Sequence, residues 1–252
     1  MSPDCLNCAT PIQQNYCPNC GQKATTHRYS IPHYIEHDLV HGIFHVDRGM
    51  LFTLKELFTR PGHGIREFIQ GKRQNYFSFV SLILLILAAS ALLAPYVHVS
   101  IADVMPKDSK PMMNAVEDFM SKHPKLIIII TIPLYALLSY GWFVKAKLNF
   151  SEHLVLNSYR VIPELIINLL ATALTVLFKS KGIFVFISLG LGSLLGLAYS
   201  IWFYYQFFSG YNYPKRMLVF NSIMVPASYV LLSVFVGIVS AIVQMVLAHS
   251  KG

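Results

Sequence analysis

All four cysteines of the chain fall within its first twenty residues, as Cys5-Leu-Asn-Cys8 and Cys17-Pro-Asn-Cys20. Each CxxC turn offers two thiolates to one side, and two such turns complete a tetrahedral four-sulfur site of the kind that holds structural zinc. A redox reading would need a surrounding βαβ pattern, which this sequence does not supply. With sulfur in all four positions no coordination site stays open, so the metal is expected to be structural rather than catalytic.

A second set of potential ligands follows. His33, His37, His41 and His45 recur every fourth residue, opposite a row of Ile31, Ile35, Leu39 and Ile43, which is the arrangement of two faces of one helix. Histidines four apart can share a metal, and His37, His41 and His45 form a candidate second site. The glutamate of an HExxH motif is missing, because Asp38 follows His37 and Gly42 follows His41. A polar face for packing or headgroup contact is the plainer reading, with imidazoles that charge below about pH 6.5. Farther along, Glu164 lies one helical turn after Arg160, with Asn168 one turn beyond. Carboxylates within membrane helices mark ion and proton paths, but an Arg160–Glu164 ion pair is the simpler expectation. Asn221 and Gln244 are expected to make interhelical hydrogen bonds. No nucleophile elbow, phosphate loop or paired-carboxylate motif is present.

The elements that must position these residues are set by composition. Of 252 residues, 54% are hydrophobic and 13% charged, about half the charge of a soluble domain; the mean hydropathy is +0.51. The expected fold is an all-α membrane bundle of about five transmembrane helices with a small N-terminal zinc ribbon. Residues 1–24 form the ribbon, 25–75 amphipathic juxtamembrane helices, and 76–252 the bundle, with spans at about 77–97, 125–144, 161–178, 183–205 and 217–247. Pro163 would open the third span. Leu51, Leu54, Leu57 and Phe58 form one short apolar face and Ile65, Phe68 and Ile69 another. Both pieces are too short and too charged to span, and lying among headgroups suits them. Lys23 and Arg28 would offset the negative charge of a zinc tetrathiolate.

The net charge of +8 is read as basic residues gathered at one membrane face, rather than as nucleic-acid binding. Arg66, Lys72 and Arg73 precede the first span; Lys145, Lys147 and Arg160 separate the second from the third; Lys215 and Arg216 precede the fifth. All fall on one side when the N-terminus is cytoplasmic, with the C-terminus outside. Lys179 and Lys181 dissent. Tyr76, Phe77, Trp142, Phe143, Trp202, Tyr204 and Tyr205 would form an aromatic belt at that side. Residues 1–30 hold no apolar run of secretory-leader length, so the cysteines are expected in the reducing cytosol. Ser188, Gly192, Gly196 and Ser200 make a small-residue stripe suited to close helix packing, within one chain or between copies of a homo-oligomer. No clear internal repeat emerges.

The stretch from His37 to Tyr76, HxxxHxIFHVDRGxLFTLKELFTRPGxxIREFIxGKRxxY, together with the YCPNCGQ ribbon, resembles a family of bacterial membrane proteins of unknown function. In that family a short zinc ribbon precedes a histidine-bearing juxtamembrane segment and several spans. The resemblance covers residues 1–80 and implies a bacterial inner-membrane location without implying an activity. The architecture is also similar to that of Yip1-type membrane proteins. These readings favour a non-enzymatic scaffold or regulatory protein with a cytosolic partner. A transporter or oligomeric pore built on Glu164, Asn168 and the broken helices at Pro163 and Pro226 stands second, and a membrane enzyme with a His-ligated metal third.

Overall fold

The computed structural model describes residues 4–26, 28–32, 34, 49–178 and 180–249, without the side chains of Asp108 and 240–249. The row of His33, His37, His41 and His45 lies outside the described residues. Two short helices, α1 (Gly49–Thr59) and α2 (Pro61–Ile69), precede α3 (Phe79–Leu93). After α4 (Lys110–Lys122) come α5 (Pro124–Trp142) and α6 (Phe150–Phe178). A single turn α7 (Lys181–Phe184), a π-helical stretch Val185–Gly192 and α8 (Ser193–Phe208) run on as one apolar segment, and α9 (Lys215–His249) closes the chain. Five segments are long and apolar enough to cross a membrane: Phe79–Tyr96, Pro124–Trp142, Phe150–Phe178, Lys181–Phe208 and Lys215–Val239. Among the described residues there is no β-strand; the ribbon has only the isolated bridges Asp4–Pro11 and Tyr16–Lys23.

Helix α6 begins eleven residues before the apolar run that hydropathy marks. Asn149 and Glu152 cap its start reciprocally: the Glu152 N–H donates to Asn149 Oδ1 at 2.8 Å, and the Asn149 N–H donates to Glu152 Oε2 at 2.8 Å. Pro163 therefore sits inside the helix rather than at its start. Residues Ser151 to Pro163 are all buried, so the polar half of α6 is the axis around which α2, α3, α5 and α8 pack.

The short helices pack into the bundle. Six of the nine residues of α2 are buried, among them Ile65, Phe68 and Ile69 as the periodicity required. In α1 the buried face is Thr53, Glu56 and Leu57, while Leu51 is 73% exposed and Phe58 also points outward; the four-residue apolar face expected there is split. The aromatic residues at this end likewise turn inward. Phe143, Phe203, Tyr204, Phe207 and Phe208 are fully buried, with the Phe143 and Phe208 rings stacked at 3.6 Å; only Trp202 is substantially exposed among the tryptophans and tyrosines of α8. The core of the molecule is thus an aromatic plug at the ribbon end of the five helices.

Candidate metal centre

The ribbon consists of two knuckles with the same hydrogen-bond pattern, twelve residues apart. In the first, the Cys5 N–H donates to Thr10 O and the Ala9 N–H to Cys5 O; in the second, the Cys17 N–H donates to Gln22 O and the Gly21 N–H to Cys17 O. Ala9 and Gly21 both take positive φ, +58° and +74°. This is an internal repeat, C-x-N-C followed by a left-handed residue, short enough to escape a search at the scale of a domain.

The two knuckles bring their sulfurs together. All four ligand atoms lie within 4.8 Å of one another, with Cys5 Sγ 3.6 Å from Cys20 Sγ and Cys8 Sγ 3.5 Å from Cys17 Sγ. Metal–sulfur bonds of about 2.3 Å in a tetrahedron set sulfurs about 3.8 Å apart, so the cage fits a metal ion with little adjustment. Cys8 Sγ lies 3.3 Å from Thr10 Oγ1; the hydroxyl and backbone N–H of Thr10 favour the thiolate and bring this thiol down to about 6. Burial acts the other way on Cys20, pushing it up to about 11. A cation resolves that opposition, because it stabilises all four thiolates at once.

The second knuckle also holds the ribbon to the bundle. Gln22, 3% exposed, donates from Nε2 to Gly71 O at 2.9 Å and accepts at Oε1 from the Arg73 N–H at 3.2 Å. Its backbone is fixed by the Cys17 bond just described, so the metal cage and the seat share one residue. Arg28 adds a second clamp: Nε and Nη2 meet Glu152 Oε1 and Oε2 at 2.5 and 2.7 Å, and Nη2 also reaches Lys147 O. Arg28 therefore serves the α6 carboxylate rather than the tetrathiolate. The seat itself is braced from below. Arg66, in the last turn of α2, donates to the C-terminal carbonyls Gln206 O and Phe207 O of α8 at 3.0 and 2.8 Å, where a cation also complements the helix dipole. Arg73 stacks over the Tyr29 ring at 4.0 Å.

Behind the seat the buried polar residues of α6 pair with one another and with their neighbours. His153 Nδ1 and Asn157 Nδ2 both meet Ser139 Oγ, at 2.8 and 3.0 Å, and Tyr204 donates to Asn157 Oδ1 at 2.6 Å. Arg160 pairs with Glu164 at 2.5 Å, as the spacing suggested, contacts Ser200 Oγ at 3.2 Å, and places its guanidinium 3.7 Å from the centre of the Tyr135 ring. Asn168, one turn on, is exposed. Asn221 donates to Trp142 O at 2.7 Å, the interhelical bond expected of it. Sequence reasoning passed over His153 and Asn157 because they sit in what hydropathy reads as a loop; the Asn149–Glu152 capping pair was the signal that a helix contained them. Their partner Ser139 lies inside the expected second span, where a lone serine gives no sign of its role. Of the small-residue stripe, Gly192 faces Ala171 and Gly196 faces Glu164, both on α6.

Residues 47–90 match the model of a family described as "Protein of unknown function (DUF3667)". No curated protein and no solved structure matches the chain. The matched stretch takes in α1, α2, the Gly71–Arg73 turn and most of α3, which is the seat on which the ribbon rests.

Proposed function

We propose that the protein is a non-enzymatic scaffold of the bacterial inner membrane, which holds a structural zinc ion in a cytoplasmic ribbon and presents that ribbon rigidly to a cytosolic partner. The observation that carries the reading is the clamp between ribbon and bundle. A ribbon tied by Gln22 to the Gly71–Arg73 turn and by Arg28 to Glu152 has a fixed orientation, which a flexible tether would not supply. Its outward loop, with Gln13, Asn15, Tyr16, Pro18 and Asn19 exposed, is the surface offered. Cys5, Cys8, Cys17 and Cys20 fill the coordination sphere of zinc, whose tetrahedral preference and affinity for thiolate suit the cage. The chemistry a bound zinc supplies there is structural. The positive-inside rule favours the cytoplasm for the ribbon end, because Arg66, Lys72, Arg73, Lys145, Lys147, Lys215 and Arg216 all gather there.

The test has two steps. Metal analysis of the purified full chain is expected to give about one zinc per chain, released by Cys→Ser at any of the four positions; zinc retained by all four variants ends the assignment. A photocrosslinking residue at Tyr16 in cells is then expected to capture a discrete cytosolic protein, and to lose it in Cys17→Ser. Crosslinks that are the same with and without the metal cage would remove the scaffold reading. One observation favours a transporter as second reading: Arg160 Nε is buried within α6 without a hydrogen bond. Solute flux in proteoliposomes that Arg160→Met abolishes would put transport first.

A further inference from the structure

Helix α4 (Lys110–Lys122) stands at the far end from the ribbon, in the connection between the first two spans. Its residues separate by type. Met112, Met113, Val116, Phe119 and Met120 recur at i, i+1, i+4, i+7 and i+8, which gathers them on about one third of the helix circumference. Lys110, Asn114, Asp118, Ser121 and Lys122 occupy the opposite side. Such a pattern belongs to a helix that covers one face, yet no residue of α4 is buried among the described residues. Val116, Phe119 and Met120 are exposed by 40%, 48% and 48%.

The depth of α4 identifies what covers that face. Lys125, in the first turn of α5, lines one cavity with Leu84 and Leu87 of α3. Helix α5 therefore begins beside the middle of α3, and from Leu87 to Leu93 α3 runs about 9 Å farther. Only His123 separates α4 from α5, so the C-terminal end of α4 lies near that same depth. Its middle is tied to the turn that follows α3, where the Ile101 N–H donates to Glu117 Oε1 at 2.6 Å. Asp103 of that turn lies 3.9 Å from Lys181 Nζ, at the outer start of the fourth span. The helix thus runs beside the last turns of α3 rather than beyond them. Those turns expose Leu92, Tyr96 and Val97, and the start of α5 exposes Leu126, Ile129 and Ile130. The apolar face of α4 shares its depth with this lipid-facing belt, at the edge of the hydrocarbon. Three of its five apolar residues are methionines, whose unbranched chains adapt to an irregular surface.

We infer that α4 docks on the lipid bilayer at the membrane face opposite the ribbon, with Met112, Met113, Val116, Phe119 and Met120 set among the upper acyl chains and its charged side toward water. The attraction is apolar. Lys110 and Lys122 balance Glu117 and Asp118 within the helix, and Lys122 pairs with Asp118 at 2.7 Å, so α4 has no net charge with which to select anionic headgroups. The inference goes beyond the scaffold reading and stands or falls separately from it, since its test needs neither the metal nor a protein partner.

The experiment uses the full chain in nanodiscs of neutral phosphatidylcholine, with the fluorescence of Trp142 and Trp202 in the parent subtracted. Phe119→Trp places a probe on the apolar face and Asn114→Trp places one on the polar face; both positions are exposed, so neither variant puts folding at risk. Phosphatidylcholine brominated near the head of its acyl chains is expected to quench the Phe119→Trp signal at least about twofold, and to leave Asn114→Trp nearly unchanged. Aqueous iodide is expected to give the reverse order. Replacing a quarter of the lipid with phosphatidylglycerol is expected to change neither result. Iodide that reaches both probes equally would overturn the inference, because the apolar face would then lie in water. Shielding of Phe119→Trp from iodide without quenching by the brominated lipid would also overturn it, in favour of a second copy of the chain as the cover. Lipid quenching that appears only with phosphatidylglycerol would replace apolar docking with headgroup attraction, and so end the inference as stated.

Discussion

The two ends of the helical bundle are built by different rules. At the ribbon end the helices meet through fully buried rings, Phe143, Phe203, Tyr204, Phe207 and Phe208, and through paired polar groups on the first half of α6. At the far end the same helices expose Leu92, Leu177, Phe186, Leu194 and Leu231, each by about two thirds or more. In water those residues would be a fault. In a bilayer they are solvated by lipid, which gives no apolar driving force for burial, so cohesion must come from close packing and interhelical hydrogen bonds. The cohesive half of the molecule is accordingly the half with the polar residues. Apolarity says where the bilayer lies, and polarity says where the helices hold each other.

The sharpest way to break that contrast is Arg160→Met. Arg160 is 1% exposed and Glu164 depends on it for its ion pair. Removing one partner of a buried pair leaves the other charged and unmatched, at a cost of about 3–5 kcal/mol. Denaturant unfolding in micelles is expected to show a loss of that size, most of it recovered by Arg160→Met with Glu164→Met. Leu177→Ala at the far end, where the side chain meets lipid, is expected to cost under about 0.5 kcal/mol. Equal losses at the two sites would erase the distinction between the ends.

Close approach offers a second comparison. A Cβ at Gly62 would lie 2.1 Å from Phe207 N and 2.5 Å from Gln206 Cβ, whereas one at Gly237 on α9 meets nothing within 4 Å. The first is a backbone atom that cannot swing aside. Gly62→Ala is therefore expected to push α2 off α8, weaken the Arg66 contacts with Gln206 and Phe207, and destabilise by about 2 kcal/mol or more. Gly237→Ala is expected to be neutral or to stabilise by up to about 1 kcal/mol through helix propensity. Thermal melting of the two variants in one detergent checks the pair.

How much of this was legible in the sequence follows the same division. The five spans and the sulfur cage could be read directly, because bilayer thickness and metal geometry each demand a fixed residue type over a fixed spacing. The ribbon-end core could not. His153, Asn157 and Arg160 look like loop residues to any hydropathy sum, and only their partners on other helices, Ser139, Tyr204 and Ser200, make them interior. The same holds for Tyr204 and Phe143, which pass for a lipid-facing belt until the short helix α2 is seen packed against α8. A segment of nine residues with Pro61 at its start gives no sign in isolation that six of them are buried, because the surface that buries them lies 140 residues later in the chain.

A smaller effect probes the seat through pH. His63 is half-buried beside Arg66, whose Nη2 lies 2.8 Å from His63 Nδ1. Burial first, then the charges of Arg66 and Arg60, hold this imidazole below its ordinary 6.5. A neutral Nδ1 accepts from the guanidinium; a protonated one repels it. Because the folded state binds the proton less readily than the unfolded chain, the stabilisation is complete above pH 6.5 and declines as pH falls below it. Melting curves are expected to lose stability on that side, and His63→Asn to flatten the loss. An unchanged pH slope in that variant would assign the decline to other groups.

The smallest effect separates the two knuckles of the ribbon, which share the same two backbone bonds but differ at the left-handed position. At the left-handed position the second knuckle has Gly21, which adopts φ +74° without penalty, and the first has Ala9 at φ +58°. A β-carbon in that region crowds the following carbonyl and costs about 1–2 kcal/mol, while glycine gives back part of the gain through its freer unfolded chain. Ala9→Gly is therefore expected to stabilise the metal-bound ribbon by about 0.5–1 kcal/mol net. The readout is competition with a chromogenic chelator, in which the variant is expected to release its metal more slowly than the parent. Gly21→Ala makes the reverse change on the knuckle that carries Gln22, so it is expected both to speed metal release and to loosen the hold on Gly71 and Arg73. Proteolysis between ribbon and bundle, faster in Gly21→Ala and unaltered in Ala9→Gly, would show that the second knuckle couples the metal to the seat; equal rates in both would show that the two knuckles share the work.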